Sequence, residues 1–271
     1  MAIQALNTAA TGLRALSTRI DVVANNLANA ETTAFKSSRV NFEDLMYVTI
    51  KQPGAQNAAG DIAPAGIFVG LGVKISNTQI NTEQGPLENT GRPLDVAISG
   101  PGFLKVRLPD TIAGGEGFTR NGNFFLNKDG DLVVGMGDGY RIEPSINIPP
   151  GVPDKDITIS GDGTVSYIEP GTTTSTEAGR LQLYLFPNTH GLNLLGGSIY
   201  TQTDASGDPI EVNPGEDGAG TTQSTFLEGS NVDPVKELVS LIKTQRAFEL
   251  NSQSIETADK ALQTIGNLRR F

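Results

Sequence analysis

Both ends of the chain carry apolar side chains spaced alternately three and four residues apart, and this spacing limits the possible folds more than any other feature. The N-terminal series is Leu6, Ala9, Leu13, Leu16, Ile20, Val23, Leu27 and Ala30. The C-terminal series is Leu241, Phe248, Ile255 and Leu262, with Thr244, Asn251, Ala258 and Ile265 between them. Such heptads are typical of paired helices. We therefore predict two long amphipathic helices, over residues 1–34 and 235–271, that pack on each other as a coiled coil.

The N-terminal helix has an unusual polar face. Residues 1–34 hold only four charged side chains, fewer than a helix with one face in water normally carries. The face opposite the apolar seam contains Arg14, Thr18, Asn25 and Asn29. Amides can be buried against another chain when they find hydrogen-bond partners, whereas an unpaired buried charge costs far more free energy. We therefore expect self-assembly through the terminal helices, with Asn25 and Asn29 between subunits; Asn26, nearer the seam, suits either contact.

Between the helices, short β-branched and aromatic runs alternate with Gly, Asn and Asp turns. The candidate strands are residues 95–100, 103–108, 123–127, 131–135, 156–161, 164–168, 180–186 and 198–203, and the explicit turns are residues 120–123, 128–131 and 161–164. Residues 51–66 and 204–223 are small, polar and rich in Pro and Gly, which favours loops or extended arms. The sequence thus predicts an α+β fold, with paired N- and C-terminal coiled-coil helices and a β-rich, mainly antiparallel middle domain.

The charge of the chain, −10 in total, is unevenly distributed. Residues 41–234 carry 10 basic and 24 acidic side chains, whereas each end has a small positive excess. An acidic middle without a basic, aromatic-rich face argues against nucleic acid as a partner. We expect this middle to face water and the two ends to pack inward. The N-terminus lacks the basic start and compact apolar block of a secretory signal, and no run of about 18 apolar residues predicts a membrane span.

Residue types that enzymes use are sparse in this sequence. The absence of Cys excludes a thiol nucleophile, a disulfide scaffold and a Cys-based zinc site, and the single His190 has no nucleophile motif near it. Residues 127–131 resemble the start of a calcium loop without its late glutamate, so a hairpin turn explains them. The Gly-rich residues 99–103 and 136–141 lack a Walker-type Lys and a following helix. We predict no enzymatic activity, no cofactor and no metal site.

Several blocks of sequence resemble one known family. Residues 11–36 (TGLRALSTRIDVVANNLANAETTAFK) are similar to the N-terminal signature of the flagellar rod and hook proteins. Residues 99–106 and 118–133 resemble the central motifs of that family, and residues 229–265 resemble its C-terminal signature. Within the family, residues 42–56 resemble the segment that marks distal rod subunits, and the chain length also fits these better than the longer hook protein.

The resemblance implies a structural subunit that leaves the cell through the flagellar type III export apparatus without a cleaved signal. It would polymerise into a rigid hollow tube, the periplasmic rod of the basal body, which transmits motor torque to the hook and provides the export channel. Its partners would be further copies of itself, neighbouring rod and hook or hook-junction proteins, and the P and L rings where an outer membrane exists. Two alternatives stay open: another rod or hook-like axial protein, or a secreted monomeric β-domain binding module.

The resemblance also implies roles for segments of the chain. Residues 1–34 and 235–271 would form the inner-tube core, 35–95 a connecting segment, 96–214 an outer β-rich domain and 215–234 a return segment. The insert at residues 47–66 includes Tyr47, Pro53, Gly54, Gln56 and Pro64. It would lock neighbouring subunits and keep the tube straight, with its prolines fixing φ. Relatives usually have Gly at the position of Ala34, so if φ is positive there we expect either a different turn or a longer helix.

Overall fold

The computed structural model describes residues 2–54, 64–135, 139–172 and 174–268, without the side chains of residues 2, 3, 113 and 265–268. The chain forms two compact units. The first consists of residues 1–28, 38–79 and 233–271, and the second of residues 29–37 and 80–232. The first unit contains two long helices and a β arm, and the second is built from antiparallel strands. The predicted α+β class is therefore confirmed.

The first unit is organised around helices α1 (Ala2–Ala28) and α2 (Pro234–Leu268), which lie against each other. Arg19 Nη2 of α1 donates to Ser240 Oγ of α2 at 3.4 Å. Helix α2 starts sharply because the Asp233 carboxylate caps it, accepting from the backbone N–H groups of Val235 and Lys236 at 3.1 and 3.2 Å. Pro234 follows at the first helical position, where its missing N–H costs nothing.

The remaining part of the first unit is a two-stranded arm. Strands β1 (Ser38–Asp44) and β4 (Val73–Ile80) pair with each other, and β2 (Tyr47–Lys51) and β3 (Ile67–Gly70) pair beyond them. Backbone hydrogen bonds from Leu45 to Gly72 and from Leu71 to Met46, at 2.8 and 3.2 Å, join the two pairs into one ladder. The interpretation of residues 51–66 as loop or arm therefore missed that strands flank this segment on both sides.

The second unit contains sixteen short strands among its described residues. They are β5 (Leu87–Asn89), β6 (Val96–Ser99), β7 (Leu104–Arg107), β8 (Glu116–Thr119), β9 (Phe124–Leu126), β10 (Leu132–Val134), β11 (Ile142–Glu143), β12 (Ile157–Ile159), β13 (Thr164–Ile168), β14 (Ser175–Arg180), β15 (Leu183–Leu185), β16 (Asn193–Gly196), β17 (Ile199–Thr201), β18 (Ile210–Val212), β19 (Thr221–Ser224) and β20 (Phe226–Glu228). The largest sheet has the order β11-β7-β8-β17-β16, and β12-β13-β14 form a second. The other strands pair as β9–β10, β15–β18, β6–β19 and β5–β20, all antiparallel.

The core of the second unit has an aliphatic part and an aromatic part. The aliphatic part includes Val96, Ile98, Leu181 and Leu183, all with no exposed surface, whereas Leu185 is only half-buried. The aromatic part packs Phe103, Phe118, Tyr184, Phe186 and Tyr200, with edge-to-face centroid distances of 4.8–5.8 Å. Such pairs add to the free energy gained from burial alone.

All eight predicted strand segments contain observed strands, and two of the three predicted turns are found. Residues 128–131 close the β9–β10 hairpin and residues 161–164 close the β12–β13 hairpin. The interpretation of residues 120–123 as a turn is wrong: these residues form no turn or bend and lead from β8 to β9, which do not pair with each other. Gly122 is instead needed for close backbone packing, since a Cβ at this position would collide with the Val96 carbonyl. Residues 204–223, expected to be irregular, contain β18 and part of β19.

Ala34 adopts a left-handed conformation. Its φ is +56°, its side chain is fully buried, and its N–H donates to the Glu228 carbonyl at 2.8 Å. The longer-helix expectation is wrong, because α1 ends at Ala28. The backbone thus has the positive φ that Gly accommodates more readily, and the Ala methyl is held in a strained position by its surroundings.

Candidate functional site

The predicted seam residues of α1 and α2 are buried to different degrees. Val23 is buried; Leu6, Leu13, Leu16, Ile20 and Leu27 are half-buried on α1; Leu241, Ile255 and Leu262 are half-buried on α2; Phe248 is 36% exposed. Ile265 lies in α2, but its side chain is outside the described ones. Smaller residues are more deeply buried, with Ala15 at 4% and Thr244 at 2% exposure. Much of the large apolar surface of the helices is therefore still in contact with water in a single chain.

Asn26 is the most buried amide of α1, with 1% exposure. Its Nδ2 donates to the Ser38 carbonyl at 2.8 Å, and its Oδ1 accepts from the Ser38 N–H at 3.0 Å. The same Nδ2 lies 3.4 Å from Glu237 Oε1 on α2. One side chain thus holds the start of the β arm and contacts the second helix. Sequence reasoning left its role open, although it is the amide with the clearest structural function.

The two amides predicted to lie between subunits are more accessible. Asn25 is exposed and Asn29 is half-buried. Asn29 is involved in local contacts, since its Oδ1 accepts from Thr32 Oγ1 at 3.1 Å and its carbonyl accepts from the Thr32 N–H at 3.2 Å. Their role between subunits stays a prediction.

The β arm is fixed to α1 at a second point. Thr11 Oγ1 accepts from the Val73 N–H at 3.3 Å, and Gly72, at φ +120°, lies so close that a Cβ would collide with Thr11 Oγ1. Along the helix Thr11 and Asn26 are about 22 Å apart, close to the length of the seven-residue strand β1. Between these points, the Arg19 guanidinium lies 6.0 Å from the centre of the Phe42 ring. The arm therefore runs along α1 and is attached to it at the first residue of β1 and at the first residue of β4.

Beyond Gly72 the arm projects as the β2–β3 hairpin, which carries the predicted insert. Tyr47 is 57% exposed, and Pro53, Gly54 and Pro64 are exposed near its open end. Gln56 lies outside the described residues. The Asp44 carboxylate raises the pKa of Tyr47, mainly by accepting a hydrogen bond from its hydroxyl. All five residues of β2 are exposed, so the hairpin presents both faces to solvent in a single chain.

The second unit contains a buried charge cluster that sequence reasoning missed. Glu228 Oε1 pairs with Lys36 Nζ at 2.6 Å, and Oε2 pairs with Arg120 Nε at 2.7 Å. All three side chains are at most 5% exposed. Burial lowers the pKa of Lys36, an effect that the adjacent Glu228 carboxylate opposes.

Backbone carbonyl groups also accept hydrogen bonds from this cluster. Lys36 Nζ donates to the Glu83 carbonyl at 2.6 Å, and the Arg120 guanidinium donates to the carbonyls of Gly102, Gly100 and Ile98 at 2.7–3.2 Å. The cluster connects the segment that follows α1 with the strand that precedes α2. The only sequence signal was that all three residues lie in or beside the blocks that carry the family resemblance.

The described residues offer little for catalysis or metal binding. They contain no group of three or more His, Asp or Glu side chains placed to hold a metal ion. The Nδ1 atom of His190 lies 3.1 Å from the Ile80 carbonyl oxygen. Neither of the described helices combines the length and apolar character needed to cross a membrane. The features that stand out are surfaces and anchoring contacts.

Comparisons with known proteins agree with this description. Residues 6–36 match the family model described as flagella basal body rod protein, residues 97–167 match the flagellar hook protein FlgE/F/G D1 domain, and residues 223–268 match the flagellar basal body rod FlgEFG protein C-terminal model. Lys36, Arg120 and Glu228 thus each fall within a different matched region.

Relatives that align over nearly the whole chain show which rod proteins it is similar to. The flagellar basal-body rod protein FlgG of Buchnera aphidicola subsp. Schizaphis graminum is 44% identical over 258 residues, which cover 95% of this chain and 96% of the relative. FlgG of Caulobacter vibrioides is 42% identical over 98% of this chain and all of the relative, and FlgG of Bacillus subtilis is 35% identical over 99% and 100%.

The chain has an α+β fold, and both of its terminal regions match models of flagellar rod proteins. It is therefore a structural component of the bacterial flagellar basal body. Within that class, the chain belongs to the FlgG family of flagellar basal-body rod proteins, the structural subunits of the distal rod.

Proposed function

We propose that this chain polymerises into a rigid hollow tube in which α1 and α2 pair as a coiled coil and form the inner wall. This proposal rests on the incomplete burial of the heptad residues. Most large seam side chains of both helices are only half-buried, although the helices lie against each other. Covering this apolar surface with neighbouring copies would remove it from water, which favours association. The tube would transmit motor torque to the hook and leave a central channel for export.

The roles of the segments follow from the same proposal. Residues 1–34 and 235–271 form the inner-tube core, residues 35–95 connect it to the β-rich outer domain at 96–214, and residues 215–234 return the chain to the core. Asn25 and Asn29 lie at contacts between subunits, where each amide both donates and accepts hydrogen bonds. The strong acidic excess of residues 41–234 supports a solvent-facing outer domain.

The insert at residues 47–66 stiffens the tube in this proposal. Two observations support it: the hairpin exposes apolar side chains on both faces, and the arm that carries it is attached to α1 at Asn26 and Thr11. A projecting element with a rigid base can transmit force between neighbours. Deletion of residues 47–66 should leave polymerisation intact and give a curved or flexible tube, whereas a straight tube would refute this role.

The partners follow from the place of the distal rod in the flagellum. They are further copies of this chain, neighbouring rod and hook or hook-junction proteins, the P and L rings where an outer membrane exists, and the flagellar type III export apparatus that delivers the subunit without a cleaved signal. The chain acts structurally and not as an enzyme, in keeping with its family.

Removal of the N-terminal helix tests the assembly proposal. Full-length protein at high concentration should form tubes that sediment and are visible by electron microscopy. A chain lacking residues 2–28 should stay monomeric while its second unit keeps the β signal in circular dichroism. Polymerisation of this shortened chain would overturn the proposal, and a full-length protein that stays monomeric would favour the β-domain binding module instead.

A further inference from the structure

Helix α2 has a second apolar face that nothing in the described chain covers. Val235, Leu238, Val239 and Ile242 are 70%, 46%, 45% and 50% exposed. Their spacing of three and four residues places them on one side of the helix over about 10 Å. We call these four residues the α2 stripe. The buried Thr244 belongs to the other face, which packs against α1.

The α2 stripe has a basic rim. A shallow groove beside it is lined by Arg19, Lys236 and Lys243 together with Val235 and Val239. Asp233, just before α2, pairs with Lys236 at 3.1 Å. Two copies that met through this stripe face to face would bring lysines against lysines, and like charges at an interface disfavour that arrangement. We therefore expect the α2 stripe to bind a surface of the partner copy other than the partner's own α2 stripe.

The β2–β3 hairpin supplies a surface of the complementary kind. Val48, Ile50, Ile67 and Phe68 are 43–57% exposed, and Met46 is 81% exposed. A two-stranded hairpin is only marginally stable in water unless something packs on it. The exposed carboxylates of Glu43 and Asp44 lie at its base, next to Met46, and Lys74 pairs with Glu43 at 3.4 Å, so two carboxylates lie beside one ammonium group. This end of the hairpin is thus apolar with acidic neighbours, opposite in charge to the rim of the α2 stripe.

We propose that the β2–β3 hairpin of one copy docks on the α2 stripe of a second copy. Val48 on β2 and Val239 on α2 are exposed to a similar degree, 43% and 45%, so each could be covered by the other. In this arrangement the carboxylates at the hairpin base approach Lys236 or Lys243. The inference rests on the proposed function, because it names the two surfaces through which the copies meet.

The docking has a consequence for symmetry. Because each copy offers one hairpin and one stripe, the contact is heterologous and can repeat along an open helical polymer that the terminal helices hold together. The same contact would give the insert a defined binding surface on the neighbouring copy. It would also stabilise the hairpin when the copies assemble.

Disulfide trapping tests the docking directly, since the chain has no Cys of its own. We would assemble a V48C/V239C variant, oxidise it and resolve the products without reductant. A ladder of covalent dimers, trimers and higher species is expected, because a disulfide forms only when the two Cβ atoms approach to about 4 Å. V239C alone and a control pair of V239C with E177C, which is exposed on β14 of the second unit, should give monomer.

Charge reversal gives an independent readout in the same assembly. Lys243→Glu and Asp44→Lys, each introduced into V48C/V239C, should lower the yield of cross-linked species several-fold at equal tube mass, and the two changes together should restore the yield towards that of V48C/V239C. The inference is overturned if V239C alone gives covalent dimers, or if tubes form while V48C/V239C stays monomeric. If the unmodified chain forms no tubes at all, the proposed function fails, and this inference fails with it.

Discussion

Glu228 and Lys36, which are 192 residues apart in the chain, form an ion pair with a 2.6 Å separation and almost no solvent access. The second carboxylate oxygen of Glu228 binds Arg120 at 2.7 Å, so one acid holds two bases. The cluster ties together the segment entering the second unit from α1 and the strand leaving it towards α2. Within the second unit, the cluster thus joins residues from three separate parts of the chain.

Loss of the Glu228 charge should strongly destabilise the second unit. Glu228→Gln leaves two buried cations without their counter-charge, and removal of one partner of a buried pair typically costs about 3–5 kcal/mol. Urea unfolding followed by circular dichroism measures the change. The matched control is Glu116→Gln, which removes an acid paired with Lys105 at 2.7 Å but 48% exposed, with an expected cost of about 0–1 kcal/mol. Equal effects from both variants would contradict the structural role of the cluster.

The three asparagines at the end of α1 and just after it, Asn25, Asn26 and Asn29, should separate into two functional groups. Asn26→Ala removes both bonds to the Ser38 backbone, so the free energy of unfolding of the monomer should fall by about 1–3 kcal/mol. Asn25→Ala with Asn29→Ala should change monomer stability little and instead weaken the tube, as measured by the concentration at which tubes dissociate. Unaltered tube stability in that double variant would show that these amides do not lie between subunits.

Gly72 should be indispensable for attachment of the arm. Gly72→Ala places a Cβ against Thr11 Oγ1 at a positive φ, whereas Gly54, also at positive φ, has no neighbour within 4 Å of its would-be Cβ. Both alanines carry backbone strain of about 1–2 kcal/mol, and only Gly72→Ala adds a steric cost of about 1–3 kcal/mol. Limited proteolysis of residues 38–80 should therefore accelerate in Gly72→Ala more than in Gly54→Ala. The opposite order would show that Gly72 is not packed on α1.

The start of α2 should respond to acid through Asp233. Backbone hydrogen bonds from Lys236, and contact with its ammonium group, lower the pKa of Asp233 below the usual value of 3.8. Stabilisation by the ionised cap is therefore fully present above that usual value and is lost as the pH falls through the lower folded value. Asp233→Asn keeps a capping oxygen without the charge.

Comparison of the two proteins across pH measures this effect. The difference in unfolding midpoint between the unmodified chain and Asp233→Asn should be constant from pH 7 to about pH 5 and shrink below pH 4. A difference that stays constant down to pH 2 would show that the Asp233 charge does not stabilise α2.

Much of the fold could be predicted from local sequence patterns. The two heptad series identified both helices, and alternating apolar runs located eight strands, because these signals come from residues close together in the chain. Strands β1 and β4 of the arm escaped prediction. Their sequences, SRVNFED and VKISNTQI, are largely polar, and the two strands are stabilised by pairing with each other and by attachment to α1.

The anchoring contacts were harder to predict because they depend on long-range proximity. Lys36, Arg120 and Glu228 look like ordinary surface charges in sequence, and only the fold brings them together. Asn25 and Asn26 differ by a rotation of about 100° around the helix axis, which is enough to place one in solvent and the other under the arm. A periodic pattern gives the face of a helix but not which neighbouring amide meets a partner backbone.

The most direct test of the central claim is electron cryomicroscopy of tubes assembled from the full-length chain. The account predicts a hollow helical polymer whose lumen is lined by α1 and α2, with the β-rich second unit outside and the β2–β3 hairpin seated on α2 of a neighbouring copy. A tube lined by the β domain, or a protein that stays monomeric at every concentration reached, would contradict it.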